Sequence, residues 1–327
     1  MLLVITNRSD LSSDYLILKI KERSIPFARL NTEDYGIDYK IDINLSKTSN
    51  RFVIKYKDGI TIEDEEISAV YFHHPSPPIV EDVVTKIDQE FAAREALEVL
   101  RSIWRMIPEK KWLNHPKYLW RAVNKVEQLL EAVNIGFHIP NTLITSDKDS
   151  VSSFIESTNN HIIAKAVKHG FVYREKEIWV ASTHRLSSSY LQGYETYAEI
   201  PISYQHEIDK AYDIRVVVVG HQVFATAIHS QVHEETEVDW RLGDMLDIDL
   251  NHEKIKLPGG IENKCRDLVK LFSLRYSSMD MVYSKDGEYF FLELNPNGQW
   301  AWIEQEVGYP IRESIIDTLT KAGDDEF

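Results

Sequence analysis

The stretch Ser278–Met279–Asp280–Met281–Val282–Tyr283, then Asp286–Gly287, then Phe290–Phe291–Leu292–Glu293–Leu294–Asn295–Pro296–Asn297–Gly298 decides the reading of this chain. Apolar residues alternate on both sides of an Asp-Gly dipeptide, the pattern of two β-strands joined by a tight hairpin turn. Asp280 falls on the first strand, Glu293 and Asn295 on the second. Residues two apart on a strand project to one face, and the hairpin brings the partner strand alongside. Two carboxylates and an amide oxygen then converge, a hard oxygen set suited to Mg²⁺. Mg²⁺ held by so few protein groups completes its shell with water and nucleotide phosphates, so an ATP site is expected. A lone Glu-x-Asn would serve equally well on the solvent face of a strand. The Pro-Asn-Gly that follows, and the acid on the partner strand, favour the metal.

Working outward, two lysines stand against this hairpin. Lys125 lies on a helix before Gly136, and Lys165 lies inside the apolar strand Ile162–Ile163–Ala164–Lys165–Ala166. A lysine in an apolar strand is costly to bury without an anion, and a phosphate would satisfy it; the alternative is a stem that snorkels from an edge strand. The next residues, Val167–Lys168–His169–Gly170–Phe171, add a cation and one glycine, suiting a flap over phosphates. Tyr204–Gln205–His206–Glu207–Ile208 reads as an extended hinge able to offer backbone groups to an adenine edge, with Asp213 in reach of ribose.

Composition narrows the classes. With 43% hydrophobic and 27% charged residues, the chain is an ordinary globular protein, and 327 residues allow two or three lobes. One cysteine, Cys265, excludes an internal disulfide or a thiolate cluster. A net charge of −15 argues against nucleic acid, whose phosphates need basic surface; a basic peptide remains compatible. The N-terminal run Leu2–Thr6 lacks the basic flank of a signal peptide, and no apolar run reaches membrane-spanning length. A cytoplasmic location, without membrane contact, is expected.

Along the chain, strands Leu2–Thr6, Phe27–Leu30, Arg51–Lys57 and Ala69–His73, a helix Ser13–Arg23 capped by Ser12 or Ser13, and an amphipathic stretch Val80–Ile107 predict a small open α/β lobe. His73 and His74 would line the carboxyl end of its last strand or cap a loop. One helix from Lys117 to Asn134, a strand Asn141–Ile144, a helix Asp149–Ser157 and a strand Trp179–Ala181 predict a middle lobe. Strands Tyr212–Val219 and Gln222–His229, helix Glu262–Phe272, the hairpin and helix Pro310–Ala322 predict a third. The expected lobes are 1–111, 112–203 and 204–327.

In chain order, a lysine, a strand lysine, a hinge, Asp-x-Arg, a metal Asp and Glu-x-Asn resemble the ATP-grasp superfamily. The resemblance spans Trp112 to the C-terminus, with the N-terminal lobe similar to a pre-ATP-grasp domain. More narrowly, Gln205, Asp213–Ile214–Arg215, Asp239–Trp240–Arg241 and Glu293–Leu294–Asn295–Pro296–Asn297–Gly298–Gln299–Trp300 resemble the ribosomal-peptide maturases of that superfamily. These are the microviridin-type macrocyclases that make graspetides, near relatives of glutamate-adding ligases. The resemblance implies an α/β (α+β) ATP-grasp fold with nucleotide between two lobes. It assigns Lys125 and Lys165 to the α/β-phosphates, with Lys168 beside them. Gln205, His206 and Ile208 go to adenine, Asp213 to ribose, and Asp280, Glu293 and Asn295 to Mg²⁺. Arg215 and Arg241 would face the acyl-phosphate side. Implied too are a ribosomal precursor peptide, leader plus core, as substrate, with esters or amides formed on its Asp/Glu side chains, and a homodimer. Open alternatives are an amino-acid or glutamate ligase, a phosphotransferase on the same fold, and a silent peptide-binding protein.

Overall fold

The computed structural model describes residues 1–80, 85, 88–159, 161–168, 171–174, 177–180, 183–186 and 200–321. The N-terminal lobe opens with β1 (Leu2–Thr6), α1 (Leu11–Glu22) and β2 (Phe27–Asn31). An antiparallel unit follows, β3 (Tyr39–Leu45), β4 (Asn50–Tyr56) and β5 (Thr61–Glu63), before β6 (Ala69–Phe72) and α2 (Gln89–Met106). Strands β2, β1 and β6 make a parallel sheet in that order. Every residue of β1 is buried, as the uninterrupted apolar run Leu2–Ile5 requires of a central parallel strand.

The middle lobe comprises α3 (Pro116–Ala122), α4 (Lys125–Asn134), β7 (Thr142–Thr145), α5 (Lys148–Ser157) and β8 (Ile162–Lys165). It continues through β9 (Phe171–Arg174), β10 (Glu177–Val180), β11 (His184–Arg185) and β12 (Ile202–His206). The hinge strand β12 runs between β7 and β8, antiparallel to both. The third lobe carries β13 (Lys210–Val219), β14 (Gln222–Ile228), α6 (Leu242–Leu246), β15 (His252–Ile255), α7 (Gly259–Leu271), β16 (Tyr276–Ser284), β17 (Tyr289–Asn295), α8 (Ala301–Val307) and α9 (Ile311–Thr320). Its sheet runs β15-β14-β13-β16-β17. One core cluster joins Leu3 and Trp104 of the first lobe to Met281 and Phe291 of the third, so the two share a hydrophobic interior.

Several boundaries differ from expectation for local reasons. The helix expected from Lys117 to Asn134 is two helices, because Asn124 caps a new one by accepting from the Val126 and Glu127 amides. That break makes Lys125 the first residue of α4. Asp10, rather than Ser12 or Ser13, caps α1 by accepting from the Ser13 amide. Strands β3, β5, β9, β11 and β15 and helices α6 and α8 have no counterpart in the sequence reading; β3 is a half-exposed strand whose polar residues hide it. The stretch from Val80 becomes helical at Gln89. His169 and Gly170 of the expected flap, Ala181 and Ala322 lie outside the described residues.

Candidate active site

Three cross-strand neighbours build the site. On β13, β16 and β17, Arg215 pairs in register with Asp280, and Asp280 with Glu293. Directly opposed residues of antiparallel strands share a face, so these three form one row. A β-bulge follows, since Asp280 opposes Glu293 but Met281 opposes Phe291, leaving Leu292 as the extra residue. The bulge lets Phe291 enter the core, 0% exposed, although it lies two residues from Glu293. Asn295 opposes Ser278 and is exposed, its Oδ1 accepting from the Asn297 amide at 3.3 Å. The hairpin brings Asp280, Glu293 and Asn295 to one face, as the alternation predicts.

Cations crowd this row. Arg215 Nη1 donates to Asp280 Oδ1 at 2.8 Å, with both side chains nearly inaccessible. Lys125 Nζ is 2.8 Å from Glu293 Oε2, and Arg241 Nη1 is 3.4 Å from Glu293 Oε1. A cation in the first turn of a helix opposes the helix dipole, and the Glu293 carboxylate offsets that. Burial disfavours the charged form of Glu293, but Lys125, Arg241 and Lys165 outweigh it and hold the carboxyl well below its usual range. Among the described residues no carboxylate contacts Lys165; its Nζ donates to Gln205 Oε1 at 2.9 Å. Burial pushes its ammonium down to about 8; Glu293 opposes the fall, and Lys125 and Arg241 add to it.

The hinge residues take distinct places. Gln205 is buried, its amide nitrogen donating to Thr142 Oγ1 at 2.8 Å and its oxygen receiving Lys165. The side chain thus orients the strand lysine. Gln205, His206 and Ile208 also line a narrow cleft closed by Pro140, Ile163 and Leu292. Asp213 is buried and accepts from Lys210 Nζ at 2.8 and 2.7 Å and from Ser230 Oγ at 2.5 Å. Burial raises its carboxyl despite that lysine. Arg241 also lies against Asp239, at 2.8 and 3.0 Å. Lys168 is exposed.

Residues without a sequence signature complete the site. Gln128 is buried, donating to Leu294 O at 2.8 Å and accepting from Leu294 N at 2.9 Å. It closes the outer edge of β17 and ties Glu293 to the helix of Lys125. Lys210 was missed because its neighbours read as the end of the hinge. Cys265, expected in the core, is fully buried, and burial pushes its thiol up to about 12, far from a nucleophile.

The donor set fits a nucleotide with Mg²⁺. Among the described residues no three His, Cys, Asp or Glu side chains surround one point. Two carboxylates and an amide oxygen suit a cation completed by phosphate oxygens and water. Arg215 Nε is buried without a hydrogen-bond partner among the described residues. An unmatched guanidinium donor beside these carboxylates is what an anionic ligand would satisfy.

Comparison with known proteins agrees with this geometry. The RimK-like ATP-grasp domain family matches residues 122–319, and the MvdD pre-ATP grasp domain matches residues 1–119. The structure superposes on a Chryseobacterium gregarium RiPP-associated ATP-grasp ligase, in complex with ADP and a leader and core peptide, with TM-score 0.89 and 25% identity over 98% of this chain and 96% of that one. For macrocyclase MdnC of Microcystis aeruginosa MRC, bound with precursor peptide MdnA, the TM-score is 0.86 at 26% identity, covering 99% and 100%. The ATP-grasp ligase PsnB, complexed with a phosphomimetic variant of its minimal precursor, Mg and ADP, shares the fold with TM-score 0.78 at 21% identity, over 98% of each chain. No curated protein matches the chain in sequence.

Proposed function

The chain belongs to the RimK-like ATP-grasp family, and on that premise we propose that it phosphorylates Asp or Glu side chains of a ribosomal precursor peptide and closes rings on them. It is an ATP-grasp ligase that uses ATP and Mg²⁺, and its substrate is a peptide. The observation that carries the reading is the Arg215–Asp280–Glu293 row, whose Arg215 Nε has no partner among the described residues, with Lys125 and Lys165 beside Glu293.

A carboxylate is a poor electrophile because attack would expel oxide. Phosphorylation converts it to an acyl phosphate whose leaving group is phosphate. Asp280, Glu293 and Asn295 would hold Mg²⁺, which when bound neutralises charge on the transferred phosphoryl group. Lys125 and Lys165 reach the α/β-phosphates, with Lys168 at the flap, and Gln205, His206 and Ile208 flank adenine. Asp213, with Lys210 beside it, meets the ribose. Arg215 and Arg241 orient the peptide carboxylate, since a planar fork binds two oxygens at once. Attack by a Thr or Ser hydroxyl gives a lactone, and attack by a Lys amine a lactam.

The test is incubation with ATP, Mg²⁺ and a precursor peptide whose tail carries Thr/Ser/Lys and Asp/Glu. Each ring removes one water, about 18 Da by condensation stoichiometry, and hydroxylamine traps the activated side chain as hydroxamate. A lengthened peptide would identify an amino-acid ligase instead, and a phosphorylated one a phosphotransferase. Arg215→Lys keeps the charge and loses the fork, so it should bind ATP yet lose most ring closure. Full cyclisation by that variant would remove Arg215 from the role.

The same reading places the protein in the cytoplasm; no helix among the described residues is long and apolar enough to cross a membrane. A homodimer belongs to it too, supported by the exposed stripe Val126, Leu130 and Val133 on one face of α4. Light scattering at micromolar concentration tests it. The division 1–111, 112–203 and 204–327 is part of the same proposal.

A further inference from the structure

A second buried charged cluster lies outside the nucleotide site, where α1 and the end of β6 meet the segment after β17. Asp10 and His73 have side chains 0% and 1% exposed, and His73 Nδ1 is 2.6 Å from Asp10 Oδ2. Thr6 Oγ1 at 3.1 Å and the Ser13 amide at 3.3 Å bond the same carboxylate oxygen. Burial works against its charge, but the His73 hydrogen bond and charge, with Ser13 and Gln299, hold Asp10 far below the usual carboxylate range.

The other face of this pair looks across the lobe boundary. Gln299 Nε2 donates to Asp10 Oδ1 at 3.3 Å, and Ser12 Oγ donates to Gln299 Oε1. His73 Nε2 lies 3.5 Å from Gly298 O, which also accepts from Tyr276 OH at 2.5 Å. Residues 296–300 form neither helix nor strand, so no ladder fixes them. Yet Gln299 O is the acceptor for Arg215 Nη2, at 3.2 Å. The guanidinium is therefore indexed by two acceptors, Asp280 on β16 and a carbonyl on an irregular segment. Its fit is tight: a Cβ on Gly298 would lie 2.8 Å from Arg215 Nη2.

We propose that Asp10 and His73 are positioning residues for Arg215, acting across the lobe boundary through Gly298 and Gln299. The pair anchors the Gln299 side chain and the Gly298 carbonyl, which places the Gln299 carbonyl against Nη2 and aims the fork at its anion. The chemical step thereby depends on a lobe to which no nucleotide ligand is assigned. The proposal rests on Arg215 meeting the acyl phosphate, so its test has one arm that needs no peptide.

That arm is ¹⁵N NMR of the arginine side chains in the Mg·ADP complex, with Arg215 assigned by its loss in Arg215→Lys. The wild type should show separate, slowly exchanging Nη signals for Arg215. Gln299→Ala and His73→Ala should average them, with Mg·ADP affinity by calorimetry within about twofold of wild type. His73→Asn keeps a donor near the Nδ1 position and should restore the wild-type signals. In the second arm, precursor-dependent ADP formation should lose at least tenfold in kcat in the two alanine variants, with KM for ATP little changed. Arg215 signals unchanged in Gln299→Ala, or nucleotide affinity lost together with kcat, overturns the proposal. Absence of precursor-dependent ADP formation by the wild type would count against the ligase reading, while the NMR arm still judges the positioning.

Discussion

Lys125 Nζ lies 2.8 Å from Glu293 Oε2, so a lysine assigned to phosphate and a carboxylate assigned to Mg²⁺ are bonded to each other. Arg215, assigned to the acyl-phosphate side, is likewise bonded to Asp280, at 2.8 Å. The cations proposed for phosphate and carboxylate and the anions proposed for a metal thus neutralise one another in this structure. A nucleotide arriving with its metal would bring the opposite pair of charges, and Lys125 and Glu293 could exchange partners without leaving a buried charge uncompensated.

Glu293→Gln removes one hard ligand and leaves the volume of the side chain unchanged. Turnover should fall by about 10²-fold or more, the scale of lost charge stabilisation at a phosphoryl site. Thermal stability should fall as well, because Lys125, Arg241 and Lys165 lose the carboxylate that offsets their charge. Measured ATP consumption equal to wild type would show that Glu293 holds no catalytic metal.

Lys165 predicts a pH dependence. Its folded pKa of about 8 lies below the ordinary 10.5, so the fold disfavours the ammonium. The sign for stability follows: between those values the unfolded chain holds the extra proton, so this residue adds stability as pH rises from about 8, and nothing changes below it. Phosphate needs the ammonium. Mg·ATP binding near pH 8.5 should therefore take up a proton, seen as binding heats that differ between buffers of unlike ionisation enthalpy. Lys165→Met should abolish that uptake and weaken ATP at least tenfold, about 1.4 kcal/mol. Equal heats in all buffers for the wild type would contradict the assignment.

Gly298→Ala tests the close approach. The added methyl would sit 2.8 Å from both Arg215 Nη2 and Ser278 Cβ, inside any real contact. Overpacking of this kind costs about 1–3 kcal/mol. The variant should lower the urea midpoint and reduce turnover by displacing Arg215. A midpoint and kcat equal to wild type would mean the segment moves aside freely.

Gln128→Leu tests the tie between α4 and β17. Leucine matches the stem but removes the partner of the Leu294 N–H and C=O and of the Ala122 C=O. Three buried backbone groups that lose a partner cost about 3 kcal/mol or more together. Because that tie also sets the Lys125–Glu293 distance, nucleotide affinity should fall as well. A denaturation curve superimposable on wild type would show that water replaces the glutamine.

The Asp280–Asn295 hairpin, the strand position of Lys165, the extended hinge and their order were legible along the chain. These depend on period-2 alternation and on turn dipeptides, which act over a few residues. Asp280 and Glu293 therefore face each other as the alternation requires. Tertiary structure alone decided the rest. The bulge at Leu292 arises because Phe291 must reach the core while Glu293 stays at the site, a conflict invisible along one strand. Gln128, Lys210 and the Asp10–His73 pair carry no motif, since each acts through a partner distant in sequence or on an element whose packing sets its direction. Gln205 was legible as a hinge residue, but that its side chain turns to Lys165 and Thr142 depends on β12 lying between β7 and β8. Local periodicity fixes which face a residue occupies; what it meets there is set by elements that arrive from elsewhere in the chain.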